Sequence, residues 1–490
     1  MREKVLDTIS NNIFCKLFFI VIPLLNEIPV LTPVFNPFMK VGILIGLLFI
    51  FTDLFRGRTI LKTAGIVPAA LLVIFVLIGS LLHFQSEQFK MNLIELCYIA
   101  ISFFVLYPVS NSLNREKLFG EITLINCVFV SLVTAASVIS LILFFLKVNA
   151  SYTFNNYEYH LGVFNGRLVG IFRNSIYPTA TIAMFCAVIQ YLVNRKIWNI
   201  KKRRWSVLLV ISIVINFEAF ALQNSKGLLF GCVGAAFFAA FMVAYKCKAK
   251  IVAHLKIGYR IVVSAVSASA LAGLFYIMFA FFRKCSYWLL LLIENLKNVF
   301  LHNGEQSDAI TQDIKSFMER AVGDNYGALT GRPYVWKEGI ERALEQPLFG
   351  YGPCTLANEI HPFEGSTEQL SHFHNIFVHT LVSGGVLGLC SFIVFLCCCI
   401  FRIVKSLFRP KNPENYYLPF LAICALLVFI FIINMADTTI LFMTKQSGFL
   451  FFIYLGYAMR LTGETKPFKV DVLARKIDEF LTKIIVRKNG

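Results

Sequence analysis

Twelve long, almost uncharged apolar runs recur along this chain of 490 residues, near 13–34, 36–54, 65–84, 91–110, 121–147, 175–193, 206–222, 227–245, 261–282, 373–401, 418–435 and 440–459. A helix needs about 20 apolar residues to cross the hydrocarbon core of a bilayer. Inside lipid every backbone N–H and C=O must find its partner within the protein, which leaves helices or closed barrels as spanning structures. Runs of this length, without strand-like alternation, predict an all-α polytopic membrane protein with about 12 transmembrane helices. Composition agrees: 57% of residues are hydrophobic and 15% charged, against roughly 25% charged in an average soluble domain. Disordered chains, secreted disulfide scaffolds and free cytosolic enzymes are excluded.

The net charge of +18 is read against the membrane. Of the 46 Lys+Arg, 31 fall in segments 1–16, 55–64, 111–120, 194–205, 246–260, 402–417 and 460–490, which are every second connection. The positive-inside rule then puts both termini and those connections in the cytoplasm. Nucleic acid is not an expected partner, because the run Lys201-Lys202-Arg203-Arg204 has no soluble domain to carry it. The division expected is helices 1–9 over 1–283, a large helical extracytoplasmic loop over 284–372, helices 10–12 over 373–460 and a basic cytoplasmic tail over 461–490.

The chemistry-bearing residues collect in that loop, which holds 7 Lys+Arg against 12 Asp+Glu and so does not attract anions as a whole. Within it, GRPYVWKEGIERALEQP reads as a helix, with Thr330 or Gly331 as its cap, Pro333 in its first turn and Pro347 as its stop. Val335, Trp336, Gly339, Ile340, Ala343 and Leu344 recur at helical spacing and predict a packed face. Arg332 then stands at a helix start, where unpaired amides and the positive dipole end favour phosphate. A glycine-rich turn holding Gly350 and Gly352 follows, then Ser371-His372-Phe373-His374-Asn375 at the mouth of a span. Histidines at i and i+2 share no helical face, and neither Cys nor paired carboxylates stand at ligand spacing, so no metal site is expected. One proton-accepting His is the better reading.

The stretch from Arg332 to Gly388 resembles the O-antigen ligase and polymerase superfamily of bacterial envelope enzymes. The pattern is Arg332 and Trp336 on a helix, Pro347-Leu348-x-Gly350-x-Gly352, His374-Asn375, and Gly-Gly-Val-Leu-Gly at 384–388. Upstream, Gly166-Arg167-Leu168-Val169-Gly170 with Arg173 nearby, and Asn224-Ser225-Lys226-Gly227, are weaker matches. The family usually has Arg where Lys226 stands; lysine keeps the charge and loses the bidentate fork.

The resemblance implies a C-type glycosyltransferase-like membrane fold and inverting glycosyl transfer on the outer face of the cytoplasmic (inner) membrane, with neither metal nor cofactor. The donor it implies is an undecaprenyl-diphosphate-linked glycan, and the acceptor a sugar hydroxyl. On that pattern His374 is the base, and Arg332, Lys226, Arg167 and Arg173 hold the diphosphate. Ser225, Glu218, Trp336, Gly350, Gly352 and Asn375 support the site. Each has a plainer alternative: Lys226 snorkels at a helix end, Glu218 pairs with Lys226 inside the span, and the two glycines serve only the turn. The activity expected is a polymerase joining lipid-linked oligosaccharide repeats into capsule or exopolysaccharide, with other envelope-glycan assembly proteins as possible partners. An O-antigen ligase acting on lipid A core is the alternative, and a lipid-linked glycan permease a more distant one.

Overall fold

In a computed structural model of the protein, the residues described are 12–57, 59–110, 113–154, 157–164, 167–172, 176–200, 203–223, 225–251, 257–301, 332–357, 359–361, 370–408, 414–442, 445–464 and 468–489. Each of the twelve apolar runs falls largely on helix among the described residues. The helices are α1 (Asn12–Asn26), α2 (Thr32–Thr52), α3 (Ile66–Leu82), α4 (Phe89–Ile101), α5 (Arg115–Phe145), α6 (Ile176–Lys196) and α7 (Arg203–Leu222). After them come α8 (Lys226–Ile251), α9 (Ile257–Leu301), α10 (Arg332–Glu345), α11 (Ile376–Phe408), α12 (Glu414–Asn434), α13 (Gln446–Leu461) and α14 (Val472–Asn489). Among the described residues eight helices are long and apolar enough to cross a membrane, and the chain is a multi-pass, all-α membrane protein. The shorter apolar helices α1 and α3 have 15 and 17 residues, or roughly 22 and 26 Å against a core of about 30 Å.

The departure from helix is local. Residues Asn149–Phe154 (β1), Tyr157–Phe164 (β2) and Arg167–Gly170 (β3) make a three-stranded antiparallel meander. Ser151 stands opposite His160 and Val163 opposite Leu168. The register slips between Gly162 and Val163; Gly162 has φ +80° there, and its α-carbon lies against the Val148 carbonyl with no room for a side chain.

The chain forms two compact units. The first comprises Met1–Leu24, Val34–Ile125 and Leu329–Gly490. Here α11 packs on α3, and α10 packs on α11. Helix α11 is broken at Gly385 (φ 65°, ψ −170°), which frees backbone groups at membrane depth. The segment after α10 satisfies them: Tyr351 N–H donates to the Val382 carbonyl (2.8 Å), Gly352 N–H to Ser383 (3.0 Å), and Val386 N–H to Pro347 (2.8 Å). Backbone meets backbone so closely that a Cβ on Gly350 would strike the Val382 carbonyl and one on Gly385 the Leu348 carbonyl. Both glycines have φ near +65°, a conformation glycine adopts without steric cost. Elsewhere in this unit Lys16, buried in α1, pairs with Glu121 at 3.4 Å beneath the Tyr457 ring, meeting the rule that an intramembrane charge faces a partner. Asp471 accepts from the Gly65 amide at 2.9 Å and ties the start of α14 to that of α3.

The second unit comprises Leu25–Pro33 and Asn126–Ala328. Phe144, Leu168, Ala180, Ala219, Leu222 and Leu290 share one apolar cluster. Polar bridges cross between its helices: Ser137 donates to Asn216, which donates to Thr134, each at 2.9 Å. Such bonds are worth about 0.6 kcal/mol each in a membrane interior, so they align helices more than they stabilise them.

Candidate active site

Helix α10 starts at Arg332. Its buried stripe is Val335, Gly339 and Ala343, at i, i+4 spacing, packed with Leu356, Ile360, Phe373 and Val382. Gly339 is needed there, because a Cβ would meet Phe373 and Val378 at under 3 Å. The stripe is narrower than the sequence predicts: Ile340 and Leu344 are 46% and 73% exposed, since they lie beyond the i, i+4 row and face away from α11.

Trp336, half-buried on α10, donates its indole N–H to the His374 carbonyl at 3.3 Å. His374 itself has φ +48°, an uncommon conformation for a residue with a Cβ. That left-handed residue turns the chain, so the two histidine rings do not diverge as they would along a helix. The ring centroids of His372 and His374 are 4.0 Å apart. Asn375 ends the turn as the cap of α11, its Oδ1 accepting from the amides of Phe377 (2.9 Å) and Val378 (3.2 Å). Its Nδ2 donates to the Met435 carbonyl at 2.9 Å, which draws in the connection after α12.

That connection brings Asp437, which sequence reasoning missed. Its Oδ1 lies 3.4 Å from Nε2 of His372 and accepts the Thr438 amide at 2.8 Å. The only local signal for it is a carboxylate at the edge of two apolar runs, a placement that is expensive by default. Burial alone pushes the Asp437 carboxyl up, but His372 beside it, the Thr438 amide and then His374 bring it below the ordinary carboxylate range. Burial pushes the His374 ring the other way, and the nearby His372 and Arg332 add to this, so that it falls to about 3 against the opposing pull of Asp437. The ring is therefore neutral at physiological pH.

Arg332, half-buried at the α10 start, thus sits within electrostatic reach of His374. Arg332, Trp336, His374, Asn375, Gly350 and Gly352 all belong to the first unit, and there the last three are architectural as well. The other residues expected at the site belong to the second unit. Lys226 is exposed at the start of α8, after the half-buried Ser225. Glu218, inside α7, accepts a hydrogen bond from the Ser286 hydroxyl of α9, which gives it a partner other than Lys226. Arg167 opens β3. Arg173 lies outside the described residues, as do Asn224, Thr330 and Gly331.

A helical multi-pass protein with a histidine turn held against a cation-bearing helix start is what these residues define. Residues 211–393 match the family model described as O-Antigen ligase. The chain is also similar to the exopolysaccharide production protein ExoQ of Rhizobium meliloti (strain 1021), 32% identical over 99 residues. That alignment spans 18% of this chain and 23% of the relative.

Proposed function

We propose that the protein is a glycan polymerase of the cytoplasmic membrane that joins oligosaccharide repeats carried on undecaprenyl diphosphate, by a single inverting displacement on the outer face. The observation that carries this reading is the neutral, backbone-anchored His374 within reach of Arg332, inside the segment that matches the O-Antigen ligase family.

The leaving group is a lipid diphosphate, already anionic, so it needs cations and dipoles rather than a general acid. Arg332 supplies both, a guanidinium fork matched to phosphate oxygens and the start of α10. Lys226, Arg167 and Arg173 carry the same assignment from the sequence pattern. The acceptor is a sugar hydroxyl, whose proton passes to His374 as the hydroxyl oxygen attacks the anomeric carbon. A bound diphosphate neutralises Arg332 and so raises the proton affinity of His374 when a base is needed. No metal takes part in this step.

The ExoQ relative is named for exopolysaccharide production, which is in keeping with a glycan-building role. Purified protein incubated with lipid-diphosphate oligosaccharide should yield a ladder of longer lipid-linked glycans. Product appearing only when lipid A core is added makes the enzyme a ligase. Movement of the donor across vesicles without any new glycosidic bond makes it a permease.

A further inference from the structure

We propose that His372, His374 and Asp437 form a binding site for a divalent transition-metal ion of the zinc type, and that occupancy of this site switches glycan transfer off. The second half rests on the transfer reading above; the first does not.

One ligand atom from each of the three residues lies within 4.8 Å of the other two. Ligands about 2.0–2.1 Å from a tetrahedral Zn²⁺ stand roughly 3.3–3.5 Å from one another. The His372 Nε2 to Asp437 Oδ1 separation of 3.4 Å already equals that edge. As a hydrogen bond the contact is long and poorly directed: Nε2 of His372 is buried and makes no well-aligned hydrogen bond among the described residues, although the carboxylate beside it attracts the ring. A nitrogen and a carboxylate held at this spacing without good alignment are under-satisfied, and a shared ion resolves this.

The surroundings hold these donors in place. The Ser371 hydroxyl lies 3.0 Å from Nδ1 of His372 and fixes which nitrogen faces the cluster, the outer-shell contact that ligating histidines usually have. Trp336 holds the backbone of His374, and the Thr438 amide holds Asp437. Two imidazoles and one carboxylate suit zinc, cobalt or ferrous ion, with a position left open for water. Arg332 opposes any cation here, so the three donors must outweigh it. A metal bound through His374 takes the lone pair that would accept the acceptor's proton.

The test uses full-length protein purified in detergent, stripped with EDTA and titrated with Co²⁺ under visible spectroscopy. One equivalent should give an intense tetrahedral band, displaced by Zn²⁺. Asp437→Asn and His372→Ala should each weaken Co²⁺ binding by more than the roughly 10–100-fold that loss of an outer-shell partner costs, and the double variant should lose the band while keeping the circular dichroism of the parent. His361→Ala should leave the titration unchanged. No band, or a band that survives in the double variant, overturns the site. Chain growth should stop with Zn²⁺ and return with EDTA. Co²⁺ binding without Zn²⁺ inhibition upholds the metal site and overturns His374 as the base; active enzyme that binds no Co²⁺ overturns the metal site and leaves the transfer reading standing.

Discussion

Two helices in different parts of the molecule begin with a cation, and they begin differently. Helix α10 opens with Arg332, half-buried, backed by a packed stripe and by a tryptophan that grips the histidine turn. Helix α8 opens with Lys226, exposed. Both starts offer amides and a positive dipole end to an anion. At the first, Trp336 ties the helix to the His374 turn within one unit. A helix start is thus a site to the extent that its neighbours are immobilised, and a charged residue at an apolar helix end is otherwise explained by snorkelling.

The comparison breaks most readily at His374. Positioned general bases are worth about 10² to 10⁴ in rate, so His374→Ala should lose most chain growth in a radiolabelled-donor assay while donor affinity survives. If His374→Ala turns over normally, the turn is not the chemical half of the site. Somewhat smaller is the effect expected at Arg332. Arg332→Ala should lower turnover by about 10² to 10³ and Arg332→Lys should retain part of it. Lys226→Ala should cost a few-fold at most if α8 merely snorkels, and equal losses at the two helix starts would erase the distinction drawn here.

A third measurement is pH. The pH dependence of kcat/KM reports the free enzyme, in which His374 is held near 3. Its acid limb should therefore fall well below the 6.5 of an ordinary histidine. With donor bound and Arg332 neutralised, the acid limb of kcat should move upward. For stability the sign is fixed by the same depression. The neutral ring's contribution is complete above about 6.5 and is lost as pH falls toward 3, so melting temperatures should decline through that window, and less so in His374→Gln. The smallest effect belongs to the cap of α11. Asn375→Ala removes two amide contacts and should cost about 1 kcal/mol, read as a lower melting temperature.

Orientation is tested separately by single cysteines in a Cys-free background. Leu344→Cys in α10 and Asp478→Cys in α14 should differ in their access to an impermeant reagent in intact cells. Equal labelling would overturn the assignment of both termini to the cytoplasm.

Much of the fold is legible along the chain because lipid leaves so few choices: apolar length alone predicts the helices, and Pro347 marks the stop after α10, which ends at Glu345. Hairpin β1–β3 was not, since its strands are short, polar and outside the runs that hydropathy detects. At the site, the start of α10 at Arg332 and the His374-Asn375 turn were visible as local patterns. The pairing of His372 with His374 was not, because it depends on one left-handed residue, and i, i+2 spacing says nothing until φ is known. Nor was Asp437, which arrives from a connection 60 residues on, carried by the bond from Asn375 to Met435. Long-range closure of this kind is invisible to periodicity.

The break in α11 at Gly385 has a consequence for how the chain exchanges with solvent. The amides of Tyr351, Gly352 and Val386 bridge a loop to a span, so none can open to water alone; releasing them strands the carbonyls of Val382, Ser383 and Pro347 respectively. Deuterium should therefore enter the Pro347–Gly352 turn as slowly as it enters the span itself, and proteases should pass it by. The Pro347–Gly352 turn then behaves in time as part of the span that it is bonded to.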